Sequence, residues 1–176
     1  VGIYDHFGWA IAVTVDDDHA VVDRRRLELV EPGITPAPIH YDADRHDDAS
    51  LTELLATVRA SIRRAAGAAL DELPGAIASI SLRTWPPDFP TDLGTLRRSP
   101  WEARADAVMY RQLLAELAEG RGWAVHAYEA RSVEAQAAAA LGARADAVLK
   151  DVRRRLGAPW TKDHQRALAA TVVAAG

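Results

Sequence analysis

A chain of 176 residues, 49% of them hydrophobic, is long enough to bury one sizeable core, and its length predicts a single domain over residues 1–176. With Cys 0 it has no disulfide scaffold, thiol nucleophile or thiolate metal site. A net charge of -4 argues against avid, non-specific nucleic-acid binding, and the absence of a bilayer-length apolar run or a basic leader before one predicts a cytoplasmic protein with no membrane partner.

The opening "VGIYDHFGWAIAVTV" reads as two apolar strands around a turn at Gly8. Trp9, Ile11, Val13 and Val15 share one parity, which predicts a half-buried second strand. "DDDH" at Asp16 to His19 supplies turn chemistry, and "AVVDRRRLELVE" follows as an outer strand, completing a three-strand meander. The stretch "PGITPAPIHYDADRHDD" is too rich in Pro and Asp for a regular element. Its His40, Asp42, Asp44, His46 and Asp47 lack a helical spacing that would aim them as ligands, so a hydrated acidic loop is expected there rather than a metal cage.

Helix starts are written in "SLTE" at Ser50 to Glu53 and "SPWE" at Ser99 to Glu102, both with the capping-box pattern. One helix then runs through Leu51, Leu54, Leu55, Val58 and Ile62, and another through Val108, Leu113, Leu114 and Leu117 to Gly120. Between them "GAIASISLRTWPPDFP" predicts a buried strand ended by consecutive prolines, and "WAVHAYEAR" predicts a fifth strand. Ser132 caps an Ala-rich helix ending at Gly142, a further helix closes at Gly157, and the last begins at Thr161. The fold class expected is α/β, with a mixed five-stranded sheet (an antiparallel meander, then parallel strands) and helices on both faces.

Within that pattern Asp5 stands out, because a carboxylate inside a sheet is costly unless it is paired, hydrated or bound to a metal. The element order is that of the ribonuclease H-like fold. The tail "ARSVEAQAAAALGARADAVLKDVRRRLGAPWTKDHQRALAATVVA" resembles the closing segment of RuvC-type Holliday-junction resolvases, and "GIYDHFGWAIAV" looks like that family's first strand. The resemblance implies a nuclease centre of acids from the first strand, the end of the fourth strand and the last helix, holding Mg or Mn for a two-metal cleavage of phosphodiesters. Asp5 matches the first position, and Asp163 and His164 match the last helix. Arg166 stands where a further acid is often found, and Arg83 and Thr84 stand where the fourth-strand acid is expected. Asp88 and Asp92 lie further along, and Glu129 on the fifth strand is the candidate substitute.

The catalytic set under this resemblance is Asp5, Asp163, His164 and Glu129, with Asp5, Asp163 and Glu129 as metal ligands. The arginines at acid positions favour a degenerate, non-catalytic member with a nucleic-acid-related or assembly role; the alternative is the divalent-metal-dependent nuclease. Nucleic acid and a second copy of the chain in a homodimer are the partners this reading allows. Trp85 and Trp101, flanking the Pro-rich loop, are the base-stacking candidates. Three geometric expectations follow: Asp5 on a central strand, the last helix against the first strand, and Arg83 or Arg166 paired with Asp5.

Overall fold

The computed structural model describes residues 1–175. Strands β1 (Gly2–Asp5), β2 (Trp9–Val15) and β3 (Val21–Glu28) form the antiparallel meander, and β4 (Ser79–Arg83) and β5 (Ala124–Tyr128) add in parallel on the other side of β1. The five-stranded order β3-β2-β1-β4-β5 puts β1, and hence Asp5, at the centre of the sheet. The helices are α1 (Pro38–Asp42), α2 (Asp48–Asp71), α3 (Leu93–Leu96), α4 (Glu102–Glu119), α5 (Val133–Leu141), α6 (Val152–Leu156) and α7 (Lys162–Ala174). None is long and apolar enough to cross a membrane.

Strand alternation sorts the core into two layers. Ile3, Ala10 and Ala12 pack with Val58 and Ile62 of α2 and with Leu113 and Leu114 of α4. Tyr4, Ile11 and Val13 point the other way, against Ala167 and Leu168 of α7, Val152 of α6 and Trp160. Helices therefore cover both faces. On the second face the fit is close: a Cβ at Gly2 would lie 1.8 Å from the Ala167 carbonyl oxygen, so the α7 backbone rests directly on β1.

Local starts differ from expectation in two places. Asp47, not Ser50, caps α2, its carboxylate accepting the Ser50 N–H at 2.8 Å. Two capping residues stand three apart here, and the earlier one adds Asp48 to the first turn, where a negative charge suits the helix dipole. The start of α4 has no side-chain cap. Its chain arrives from α3, and the Arg98 carbonyl accepts the Trp101 and Glu102 N–H groups, which leaves the "SPWE" box unused. By contrast Thr161 does cap α7.

The Pro- and Asp-rich stretch is more ordered than its composition implies. It holds α1 and a 3-10 turn at Ala43–Arg45, and α4 fixes it in place. The buried Asp106 carboxylate accepts the Ile39 N–H at 3.2 Å and the His40 N–H at 2.8 Å, and the Tyr110 hydroxyl donates to the Pro36 carbonyl at 2.9 Å. The segment after Gly142 is likewise not one helix: a 3-10 turn at Gly142–Arg144 and a π-helical turn at Asp146–Lys150 precede α6.

Candidate functional site

Because β1, β4 and β5 run parallel, their C-terminal ends share one edge of the sheet, the side on which open α/β sheets place ligands. Asp5 ends β1 there, 1% exposed. Arg83 ends β4 and meets it bidentately, Nε donating to Oδ1 at 2.8 Å and Nη2 to Oδ2 at 2.7 Å, while Nη2 also donates to the Asp5 carbonyl at 2.5 Å. From α4, Arg111 Nε donates to the same two oxygens at 3.2 and 3.0 Å, and its Nη1 donates to the Thr84 carbonyl at 3.1 Å. Strand parity puts Arg83 on the α7 side, its guanidinium 4.6 Å from the centroid of the Tyr4 ring. The carboxylate is thus gripped from both layers.

Burial opposes the charge on both guanidiniums. For Arg83 the Asp5 hydrogen bond and charge more than offset it, so the pKa is raised; for Arg111 burial dominates and the pKa is lowered. Both start from so high a value that they stay cationic at neutral pH. Each Asp5 oxygen already accepts from both arginines, so a cation could bind it only by displacing an N–H donor. Among the described residues no group of three or more His, Asp or Glu side chains stands together in a way that could hold a metal ion. The residues present therefore do not fit a carboxylate-held Mg or Mn centre.

Beside the clamp opens a cavity of about 340 Å³, whose wall includes Asp5, Phe7, Arg83, Arg104 and Arg111. Arg104 makes no side-chain ion pair among the described residues; its guanidinium lies 6.0 Å from the Phe89 ring centroid. The cavity surface is cationic, with three guanidiniums to one carboxylate.

The other expected site residues lie elsewhere. Asp163, at the start of α7, does approach β1, but it meets His6, with His6 Nε2 3.0 Å from its Oδ2. His6 in turn stacks on Trp9 at 4.0 Å between ring centroids. Asp163 and Asp5 line different cavities. His164 is buried and serves the helix end: its Nδ1 accepts the Thr161 N–H at 3.2 Å and lies 2.8 Å from the Thr161 hydroxyl. Burial, with the Arg24 charge second, lowers its pKa. Glu129 is exposed just past β5, its backbone carbonyl accepting the Val133 N–H. Arg166 does not reach Asp5; its Nη1 donates to the Tyr4 hydroxyl at 2.7 Å. Trp101 packs edge-on against Phe89 at 5.5 Å, and Trp85 joins the same cluster with Ile39, Leu96 and Val108, so both tryptophans are packing residues here.

Two members of this site escaped the sequence reading. Arg111 and Arg104 sit seven apart on α4, with Ala107 and Val108 between them, a stripe that faces the cavity. An arginine among Met109, Tyr110, Leu113 and Leu114 was the available signal, since its side chain is only 12% exposed. Comparison of the chain with protein-family models, with curated proteins and with solved structures finds no match.

Proposed function

We propose that the chain is a ribonuclease H-like domain of the RuvC type that binds nucleic acid without cutting it. The observation that carries this reading is the double arginine clamp on Asp5. In the resemblance Asp5 is the first metal ligand; here two guanidiniums occupy the space and the charge that a divalent cation would take. The strand order β3-β2-β1-β4-β5 and the position of Asp5 at the end of the central strand support the fold assignment. The cationic cavity supports a phosphate-bearing partner despite the acidic net charge, because binding follows the local field.

The divalent-metal nuclease remains the second reading, favoured by the approach of Asp163 to the residue after Asp5. It requires both arginines to leave Asp5 and Glu129 to turn inward. A panel of single-stranded, duplex and branched DNA and RNA, assayed with Mg²⁺ or Mn²⁺ and with chelator, separates the two. Binding by anisotropy with no cleavage is expected. Chelator-reversible cleavage that Asp5→Ala abolishes would overturn the non-catalytic reading.

A further inference from the structure

We infer that the cavity beside the Asp5 clamp takes a terminal phosphomonoester attached to an aromatic ring system: a nucleotide whose phosphate is at an end, free or on a strand, rather than inside one. This rests on the same cleft being an anion site, and it names which anion.

The charge balance comes first. Arg83, Arg104 and Arg111 face one carboxylate, an excess of two positive charges, which a phosphomonoester dianion matches and an internal diester, with one charge, does not. Donors are also left over. Arg83 Nη1 and Arg111 Nη2 make no hydrogen bond among the described residues, yet neither is among the atoms closed off from solvent without a partner. Both atoms therefore retain access to solvent, both arginines line the cavity, and Asp5 anchors the two guanidiniums. Preorganised donors of this kind lose little entropy on binding.

Space and stacking supply the second part. Ala103 and Ala107 keep the α4 side of the cavity low, and its 340 Å³ is at the small end of ligand-pocket sizes, about 300 Å³ and upward. Phe7 lines the cavity and continues into an aromatic patch, 5.8 Å from the His40 ring and 6.3 Å from the Tyr41 ring. Tyr41 is 56% exposed and its ring meets those of Phe7 and His40, so it carries the patch out to the surface. The patch is positioned, because Asp106 and Tyr110 hold the backbone of α1 and Pro36 from α4, the same helix that carries Arg104 and Arg111. Phosphate donors and a stacking surface thus share one rigid support, and base stacking on such rings is sequence-tolerant.

The test uses the full chain and single-stranded oligonucleotides identical except for a 5′-phosphate, a 3′-phosphate or hydroxyls at both ends. A nucleoside monophosphate, the bare nucleoside and inorganic phosphate are titrated in parallel. A phosphate-ended strand is expected to bind about tenfold tighter than the hydroxyl-ended one, the scale of one charge-assisted hydrogen bond. Arg104→Ala, at an exposed residue, should remove most of that preference with an unchanged melting temperature. Tyr41→Ala should weaken the nucleoside monophosphate and leave inorganic phosphate unaffected. Equal affinity for all strand ends, or a preference that survives Arg104→Ala, overturns this inference while leaving nucleic-acid binding intact. Strands that fail to bind beside a monophosphate that binds through Arg104 overturn the nucleic-acid reading and uphold this one; if neither binds, both fall.

Discussion

The Arg83 guanidinium meets the Asp5 carboxylate side-on, two nitrogens to two oxygens at 2.8 and 2.7 Å, at the end of two neighbouring parallel strands. The pair locks β1 to β4 at the point where the sheet's edge opens into the cavity. Its geometry is that of a bidentate, charge-assisted ion pair.

Adding millimolar Mg²⁺ or Mn²⁺ should accordingly leave the melting temperature unchanged, since only a ligand that prefers the native state stabilises it. Asp5→Ala should cost about 3–5 kcal/mol by stranding two arginines, and Asp5→Ala combined with Arg83→Met should recover part of that loss. Urea denaturation of the single and double variants checks it. A metal-dependent rise in melting temperature that Asp5→Ala removes would be the contrary result.

Asp106 carries a pH dependence of its own. Burial is the main cause that pushes its carboxyl from 3.8 up to about 6, against the pull of its two backbone N–H donors. A raised folded pKa means the native state holds the proton longer than the unfolded chain. The contribution is fully present below about pH 4 and is lost as pH rises through about 6, an effect on the order of 3 kcal/mol. Asp106→Asn does not titrate, so the stability of the native protein relative to this variant should fall between pH 4 and 6. Denaturant unfolding across that range measures the gap, and a flat difference contradicts the prediction.

His164 behaves in the opposite sense. Its pKa is lowered by burial, so its contribution is present above the unfolded value of 6.5 and lost as pH falls through the lower folded value. Protonation also removes the Nδ1 lone pair that accepts the Thr161 N–H. Gln at this third helical position keeps the capping box without titrating, so His164→Gln should hold stability near neutrality and flatten its acid-side decline. His164→Ala should cost about 1 kcal/mol at neutral pH. Urea unfolding of the three proteins against pH distinguishes them.

Gly2→Ala tests the contact between α7 and β1. The new methyl would collide with the Ala167 carbonyl, and backbone cannot yield as a flexible side chain does. A loss of about 1–3 kcal/mol is expected by denaturant unfolding. Unchanged stability would mean that α7 sits further from the sheet.

The strands and most helices were legible because each carries a strong local signal: alternation in Trp9 to Val15, an apolar run at Ile80 to Leu82, and heptad-like spacing through Val58 and Ile62. The Thr161 cap was legible for the same reason. The start at Ser50 was misplaced because Asp47 caps the helix three residues earlier by accepting the Ser50 N–H, and the start at Ser99 because the Arg98 carbonyl takes the Trp101 and Glu102 N–H groups. At the site, the pairing of Asp5 with Arg83 could be anticipated from two strand ends that must be adjacent. For Arg111 the sequence offers only its place among the apolar residues of α4; that it meets Asp5 depends on which turn of α4 crosses the end of β1, a tertiary fact. His6 with Asp163 is the same kind of meeting, between residues far apart in the chain.

The central position of β1 bears on how the chain comes together during synthesis. Its hairpin with β2 can close early, but its other hydrogen-bonding edge waits for β4, with all of α2 intervening, and the face at Gly2 waits for α7 near the far end of the described chain. Until then a short, apolar, unpaired strand edge is exposed, the kind of template on which nascent chains aggregate. Asp5 puts a charge at the tip of that edge, and charge at an unpaired strand edge opposes pairing with another chain.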